Sequence, residues 1–231
     1  MVIHGLQKLT LLDYPGHVAC TVFTAGCNFR CPFCHNAGLV THIDKNSTIP
    51  EEEFFSFLKK RQGILDGVCI TGGEPLMMPD IVPFIESIKS LGYKVKLDTN
   101  GTFFDRLSEI IGKGLVDYVA MDIKNSPEKY PLTAGIASVD IEAVKNSVAL
   151  LEKSNTDHEF RTTVVRELHT TEDMAEIGKW LSGTKKYFLQ GFKDSGDLIG
   201  QNYSAYSKDE MAKLLDIIRV SVPFAEIRGM D

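Results

Sequence analysis

Three cysteines lie close together near the N-terminus, Cys27, Cys31 and Cys34, and no fourth cysteine is near them. Loops that place thiols this closely bind zinc or an iron–sulfur cluster, and both need deprotonated thiolates. A structural zinc site has four ligands, whereas a catalytic metal site keeps one position for a reactant. The missing thiol therefore indicates a metal centre that binds a substrate or cofactor. A structural zinc site completed by His17 or His35 is the alternative.

A second group of chemically capable residues follows the next apolar segments of the chain. The pair Gly72-Gly73 lets the backbone approach a ligand closely, because no Cβ intervenes. Glu74 beside it offers an acceptor for an ammonium group, so an amino-acid moiety would fit. Polar residues also follow later apolar segments, and these candidates are Asp98, Asn100, Asp122 and Lys124. A purely structural ion-pair network is the alternative for the charged members.

The elements that must position these residues alternate between strand and helix about six times. The predicted strands are Val18–Phe23, Gly67–Thr71, Lys94–Asp98, Tyr118–Asp122, His158–Val165 and Tyr187–Gln190. The first predicted helix begins at Glu51, after Pro50. The other predicted helices are Asp80–Ser90, Phe103–Ile111, Ile141–Lys153, Glu172–Leu181 and Lys208–Val220. Such alternation indicates an α/β fold with a parallel sheet, and the polar candidates fall at the carboxyl ends of its strands.

The two faces of the strands differ in polarity, which predicts how the sheet closes. Val119, Met121 and Ile123 share one face of a strand, whereas Asp122 and Lys124 share the other. A doubly wound sheet would bury both faces and have nearly all-apolar strands. We therefore predict a partial (βα)6 barrel, a mostly parallel curled sheet with a polar interior and outer helices, forming one domain over residues 1–231.

Composition excludes several classes of function. The chain has 25 basic and 31 acidic residues and a net charge of -6, without a basic block, so nucleic acid is not expected as a partner. No apolar run approaches the roughly 18 residues of a membrane span, and no signal core is present. The five cysteines form no disulfide framework, which favours the cytoplasm. Cys20 and Cys69 lie within apolar strands and are expected as small buried residues, so no second cluster is predicted.

The motif Cys-x-x-x-Cys-x-x-Cys, with Phe33 before its last cysteine, and the segment Gly72–Pro75 together resemble the radical S-adenosylmethionine (SAM) superfamily. The resemblance implies that Cys27, Cys31 and Cys34 hold a [4Fe-4S] cluster whose fourth iron binds the amino and carboxylate groups of SAM. It implies that Gly72, Gly73 and Glu74 lie along the methionine of SAM, and that Phe33 lies near the adenine.

Other motifs narrow the resemblance to activases of glycyl-radical enzymes. These are Leu12–Gly16, Gly26–Asn28, Cys34–Asn36, Asp98–Gly101 and Met121–Lys124. The opening of the chain and Phe188–Phe192 are most similar to activating proteins of anaerobic ribonucleoside-triphosphate reductase. The resemblance implies that Asp98 and Asp122 help to hold a monovalent cation beside SAM and that Lys124 meets its carboxylate. Asp122 and Lys124 are thus the candidate catalytic residues.

The resemblance also indicates contacts around the rest of the site. Asp13, His35 and Arg161 match positions near the target peptide in pyruvate formate-lyase activase. Asn100 is a further candidate SAM contact. Gln190 is another, although related activases carry a histidine after the sixth strand where this chain has Gln190–Lys193. This departure concerns one side of SAM and the identity of the partner.

The implied reaction is reductive cleavage of SAM followed by removal of a hydrogen atom from a glycine of a partner enzyme, expected to be anaerobic ribonucleoside-triphosphate reductase. With no second cluster predicted, the electron would come from an external donor such as flavodoxin or ferredoxin. Two other functions fit the sequence. One is a radical SAM enzyme acting on a small molecule, like the deazapurine synthases, and the other is a zinc- or cluster-binding interaction module without catalysis.

Overall fold

The computed structural model describes residues 1–44 and 46–230, and its centre is one eight-stranded sheet. The strands pair in chain order: β1 (Gly5–Thr10), β2 (Ala19–Thr24), β3 (Gly67–Gly72), β4 (Lys94–Thr99), β5 (Tyr118–Asp122), β6 (Asp157–Val164), β7 (Tyr187–Gly191) and β8 (Glu226–Arg228). β1 runs antiparallel to β2, and every later pair is parallel. The carboxyl ends of β2 to β8 therefore meet at one edge of the sheet.

Helices connect the parallel strands, as parallel pairing requires. They are α1 (Ala37–Thr41), α2 (Glu51–Lys59), α3 (Ile81–Ser90), α4 (Phe104–Gly112), α5 (Tyr130–Ala134), α6 (Ile141–Lys153), α7 (Thr171–Trp180) and α8 (Lys208–Arg219), with a 3₁₀ turn at Pro75–Met77. Local sequence fixes several starts. α2 begins with three glutamates after Pro50, and α7 and α8 each begin with a capping box. None of the described helices has the length and apolar character that a membrane crossing requires.

The predicted six-stranded partial barrel is confirmed in β2 to β7, and the sheet has one further strand at each edge. β1 and β8 were not predicted. β8 has only three residues, and β1 adds an antiparallel edge to a parallel sheet. Among the described residues, the strand order does not join β1 to β8, so the curled sheet stays open. Residues 45 and 231 of the predicted domain lie outside the described residues.

The predicted difference between the two faces of the sheet is also confirmed. Val95, Leu97, Val119 and Met121 are fully buried in the core formed with the outer helices. The alternate residues of the same strands face the interior of the curl, where Tyr14, Ala19, Tyr118 and Ala120 make a small separate cluster. Above this cluster the interior is polar, and it leads to the carboxyl ends of the strands.

The outer core should dominate stability. We expect Leu97→Ala to lower the free energy of unfolding by about 2–5 kcal/mol, because the lost side chain is fully buried and leaves a cavity. Urea unfolding of the metal-free protein measures this change. The matched control is Leu12→Ala, at a residue that is 89% exposed and whose effect should stay within about 0.5 kcal/mol. Equal losses in the two variants would contradict the assignment of the core.

Candidate active site

One cavity at the carboxyl ends of the strands collects nearly all of the predicted site residues. It encloses about 900 Å³ of space open to solvent. Of the fifteen residues proposed from sequence, every one except Asp13 lines it, namely Cys27, Cys31, Phe33, Cys34, His35, Gly72, Gly73, Glu74, Asp98, Asn100, Asp122, Lys124, Arg161 and Gln190. The structure therefore brings together residues from six separate strand ends, while their individual roles remain predictions.

The cysteine loop follows β2 and is held by backbone hydrogen bonds from several sides. Gly26 N donates to the carbonyl of Leu39 (2.8 Å), and Arg30 N donates to that of Ala134 at the end of α5 (2.8 Å). On the outside, Gly200 N donates to the carbonyl of Pro32 (2.7 Å), so the segment between β7 and α8 lies against the loop. The three cysteines are thus presented by a backbone that neighbouring elements fix.

Burial disfavours the thiolate form of all three cysteines. It raises the pKa of Cys27 and Cys34 and raises the pKa of Cys31, which is 7% exposed, to about 12. The positive charge of Lys124 acts in the opposite direction on each thiol. Because thiolates in this environment need compensating positive charge, the three buried sulfurs beside Lys124 fit the ligands of a metal centre.

The surroundings of the loop bear on the zinc alternative. His17 precedes β2 whereas the loop follows it, and a six-residue strand separates the two by about 20 Å. His35 is exposed, with Nε2 2.8 Å from the carbonyl oxygen of Lys193 and its ring stacked on Phe192. Within residues 1–44 and 46–230, no three His, Cys, Asp or Glu side chains, the three loop cysteines included, are grouped to hold a single metal ion. An iron–sulfur cluster does not require this, because each thiolate binds a different iron. The structure thus removes His17 as a fourth ligand and gives His35 another partner.

The two remaining cysteines differ from each other in their surroundings. Cys20 belongs to the outer apolar core, as predicted. Cys69 is equally buried but faces the polar interior, where its sulfur lies 3.8 Å from Nζ of Lys96. Cys69 is thus buried as expected, but its neighbour is a charged group, because alternate residues of β3 face opposite sides of the sheet. Neither cysteine lines the cavity.

The pair Gly72-Gly73 joins the end of β3 to the start of the cysteine loop. Gly73 N donates to the carbonyl of Thr24 (2.9 Å), and Glu74 N donates to that of Gly26 (2.8 Å). A Cβ on Gly72 would collide with backbone atoms of Thr24, and one on Gly73 with the carbonyl of Gly26. Gly72 also has φ +115°, a conformation that favours glycine. Both glycines are thus required by the approach of two protein segments, besides any approach of a ligand.

Glu74 is 1% exposed, and its carboxylate already accepts three hydrogen bonds. The donors are Leu76 N (3.1 Å), the hydroxyl of Thr99 (2.8 Å) and Asn100 N (2.6 Å). Burial raises the pKa of Glu74 to about 7, and these hydrogen bonds oppose the rise. The side chain therefore connects the residues after β3 to the end of β4 and lies at the cavity wall. It binds a proton more tightly than an ordinary glutamate does.

Five charged side chains form a network across the polar interior. Arg161 on β6 bonds Asp122 through Nε (3.0 Å) and Nη2 (2.9 Å), and its Nη1 lies 3.6 Å from Asp98. Lys124 bonds the other oxygen of Asp122 (2.9 Å), and Lys96 bonds Asp98. Although burial acts the other way, Arg161 and Lys124 lower the pKa of Asp122, and Lys96 and Arg161 lower that of Asp98. Both carboxyls are ionised and paired.

The three predicted peptide contacts are not equally placed. His35 and Arg161 line the cavity, but Arg161 is engaged with the two aspartates. Asp13 lies outside the cavity, and one of its carboxylate oxygens accepts a hydrogen bond from the hydroxyl of Thr21 (2.5 Å). The structure therefore does not bring Asp13 together with the other two.

The remaining predicted contacts have clear positions, and two residues were missed. Phe33 is 4% exposed and packs in the main core while reaching the cavity. The amide of Asn100 donates to the side chain of Asn28 (2.8 Å).

Asn36, which was not proposed, donates to the carbonyl of Gly72 (2.8 Å), and Thr163 lines the cavity in register with Gln190. Position directly after Cys34-His35 was the available signal for Asn36, whereas Thr163 had none.

Comparisons with known proteins agree with this arrangement. The sequence pattern of the radical SAM superfamily matches residues 21–181. A protein of Methanocaldococcus jannaschii, "Putative glycyl-radical enzyme activating enzyme", is 31% identical over 100% of this chain and 97% of its own. The pyruvate formate-lyase-activating enzyme of Listeria monocytogenes is 30% identical over 55% of each chain.

A solved structure shows the same fold. Streptococcus suis SuiB bound to S-adenosylmethionine superposes with a TM-score of 0.67 over 89% of this chain, at 14% identity. The match spans 49% of the SuiB chain, so this chain corresponds to about half of that protein. At such low identity the likeness concerns the fold alone.

The proposed metal ligands can be separated from the other cysteines. We expect Cys31→Ala to reduce iron bound after anaerobic reconstitution with iron and sulfide to background, because one of three thiolate ligands is lost. The control Cys20→Ala should retain wild-type iron content, since Cys20 lies in the outer core. Iron and sulfide per chain, together with the visible charge-transfer absorption, measure both. Equal loss in the two variants would show that the ligand assignment is wrong.

Glu74 should make the stability of the metal-free protein depend on pH. Its folded pKa of about 7 exceeds the ordinary 4.5, so the folded state holds the proton more tightly. Between these values the unfolded chain ionises first, and the free energy of unfolding falls as pH rises. The difference between wild type and Glu74→Gln in urea unfolding should change by roughly 3 kcal/mol from about pH 4 to pH 8. A difference that is constant across this range would contradict the raised pKa.

Proposed function

Because this chain belongs to the radical SAM superfamily, we propose that it is the activase of a glycyl-radical enzyme and that its partner is anaerobic ribonucleoside-triphosphate reductase. The observation that carries the proposal is the similarity over the whole chain to the M. jannaschii protein. The motifs Leu12–Gly16 and Phe188–Phe192 support the choice of the reductase among possible partners. As a member of this superfamily the protein is a radical SAM enzyme that uses a [4Fe-4S] cluster and SAM.

The chain's own residues would hold these two groups at the carboxyl ends of the strands. Cys27, Cys31 and Cys34 line the cavity on one side and would ligate three irons of the cluster. When bound, the cluster and SAM supply one-electron cleavage of the sulfonium and the radical that removes a glycine hydrogen. The protein would orient the cluster and SAM and exclude water from them, so no acid–base pair is required.

The cavity wall next to the start of the cysteine loop suits the amino-acid end of SAM. The backbone of Gly72-Gly73 and the carboxylate of Glu74 would receive its ammonium group, whose charge would keep Glu74 ionised. Lys124 would receive its carboxylate, and Asp122, 2.9 Å from the ammonium of Lys124, would orient that side chain. Phe33, Asn100 and Gln190 would contact the remainder of SAM. These assignments follow from the motifs and from the shared cavity.

Partner binding and electron supply complete the proposal. A segment of the partner carrying its glycine would enter the cavity past His35 and Arg161, and Asp13 would act farther along its path, because it lies outside the cavity. Apart from the three loop cysteines, the described residues contain only Cys20 and Cys69, which lie within strands, and we propose no second cluster. The electron would come from flavodoxin or ferredoxin. We place the enzyme in the cytoplasm, as one radical SAM domain over residues 1–231.

The radical chemistry is tested with the reconstituted enzyme, SAM and dithionite without oxygen. We expect 5′-deoxyadenosine to form, and Lys124→Met to form it at least about tenfold more slowly because the carboxylate of SAM loses a buried charged partner. Chromatography of the nucleoside products measures both. The exposed Lys59→Met variant is the control. Absence of 5′-deoxyadenosine in the wild type would exclude radical SAM activity and favour an interaction module.

The partner is tested by electron paramagnetic resonance. Reduced enzyme, SAM and anaerobic ribonucleoside-triphosphate reductase should give a glycyl doublet, and reductase with its radical glycine replaced by alanine should not. A doublet with pyruvate formate-lyase but none with the reductase would reassign the partner. If 5′-deoxyadenosine forms while no glycyl-radical enzyme gives a doublet, the substrate is instead a small molecule.

A further inference from the structure

Every carboxylate oxygen of Asp98 and Asp122 in the charged network of the barrel interior lies within 4 Å of a cationic side chain. The resemblance to activases implies that Asp98 and Asp122 help to hold a monovalent cation, and a cation held there would need carboxylate oxygens as ligands. Instead each of the four oxygens has a cationic partner. On Asp98 these are Lys96 and Arg161, and on Asp122 they are Arg161 and Lys124. The donor set does not fit an additional cation.

Lys96 determines the net charge of this network when SAM is bound. The two aspartates carry two negative charges, and Lys96, Lys124 and Arg161 carry three positive ones. In the proposed function Lys124 stays beside Asp122, but its charge is matched by the carboxylate of SAM. Two negative and two positive charges then remain to balance each other in the network. Without Lys96 the same network would have an excess negative charge when SAM is bound. An excess of this kind in a buried site is what a bound cation would otherwise neutralise.

The position of Lys96 suits it to neutralise the negative charge of Asp98. It lies two residues before Asp98 on β4, so both side chains point into the barrel. It is 2% exposed and contacts Asp98 and the sulfur of Cys69, the groups that face its ammonium together with Arg161. A buried lysine without a carboxylate would be costly, and burial alone would lower its pKa, but Asp98 keeps the pKa of Lys96 raised.

We infer that Lys96 supplies, as part of the chain, the positive charge beside Asp98 that the resemblance assigns to a bound monovalent cation, so that SAM binding here needs no such cation. This inference rests on the proposed binding of SAM. Lys96 is then a positioning residue, because it keeps Asp98 and Arg161 fixed and thereby leaves Lys124 available to the ligand. It does not line the cavity itself.

The test measures SAM affinity of the reconstituted protein by anaerobic calorimetry in sodium, potassium or choline chloride at one ionic strength. Choline is too large to enter between the two aspartates. The wild-type Kd should agree within about twofold in the three salts, whereas Lys96→Met should bind roughly tenfold more weakly in choline and recover in sodium or potassium. Lys94→Met, an equal charge change at an exposed position on β4, is the control and should behave like wild type.

A further variant separates charge from packing. In Lys96→Met/Asp98→Asn both charges of the pair are removed, so sodium or potassium should not improve binding. If Lys96→Met does not fold, as judged by circular dichroism, Lys96→Gln takes its place. The wild-type Kd for SAM in the three salts still shows whether binding needs a monovalent cation.

Two results would overturn the inference alone. They are wild-type binding that weakens about tenfold in choline and recovers in potassium, and Lys96 variants that respond to no cation. Failure of the wild type to bind SAM in every salt, together with absence of 5′-deoxyadenosine, would overturn the proposed function and this inference with it.

Discussion

The pairing of Arg161 with Asp98 and Asp122 is the interaction on which the interior of this fold depends. A curled parallel sheet normally fills its inside with apolar side chains, but here three strands contribute charged side chains that are mostly buried. Each buried charge must then have a partner, because an uncompensated one would cost several kcal/mol. Arg161 spans from β6 to β5 and β4 and so satisfies two carboxylates at once. That pairing also fixes Asp122, which in turn positions Lys124. The geometry of the cavity at the strand ends therefore depends on this charged network.

Much of this arrangement could be predicted from the sequence, for reasons that lie in local patterns. Period-two polarity in Tyr118–Lys124 correctly indicated one apolar and one polar face. The alternation of strands and helices predicts that Gly72, Asp98 and Asp122 lie at one edge of the sheet. These features follow from neighbours along the chain, and parallel pairing converts them into proximity in space.

What could not be predicted depends on contacts between distant segments. β8 has three residues and no distinctive pattern, so it becomes a strand only because β7 offers a free edge. Cys69 looked like a small apolar residue until its neighbour across the strands proved to be Lys96. Glu74 looked like a free acceptor, whereas its oxygens are occupied by the end of β4. The glycine pair was attributed to a ligand, and the structure adds the backbone of Thr24–Gly26 as a second cause. In each case the missing information was the identity of a partner far away in sequence.

The absence of a pairing between β1 and β8 in the described residues has a geometric consequence. In a closed barrel the number of strands and their stagger fix the diameter, so the mouth has one width. An unclosed sheet has no such fixed diameter, and its curvature is set by the helices packed outside and by the ion pairs that span the inside. Because β1 and β8 are not paired in the described residues, a change in the curvature of the sheet would alter the width of the mouth without separating paired strands. In the proposed function, the gap between the two edge strands is thus where the fold would adjust the width of its mouth to the partner's segment.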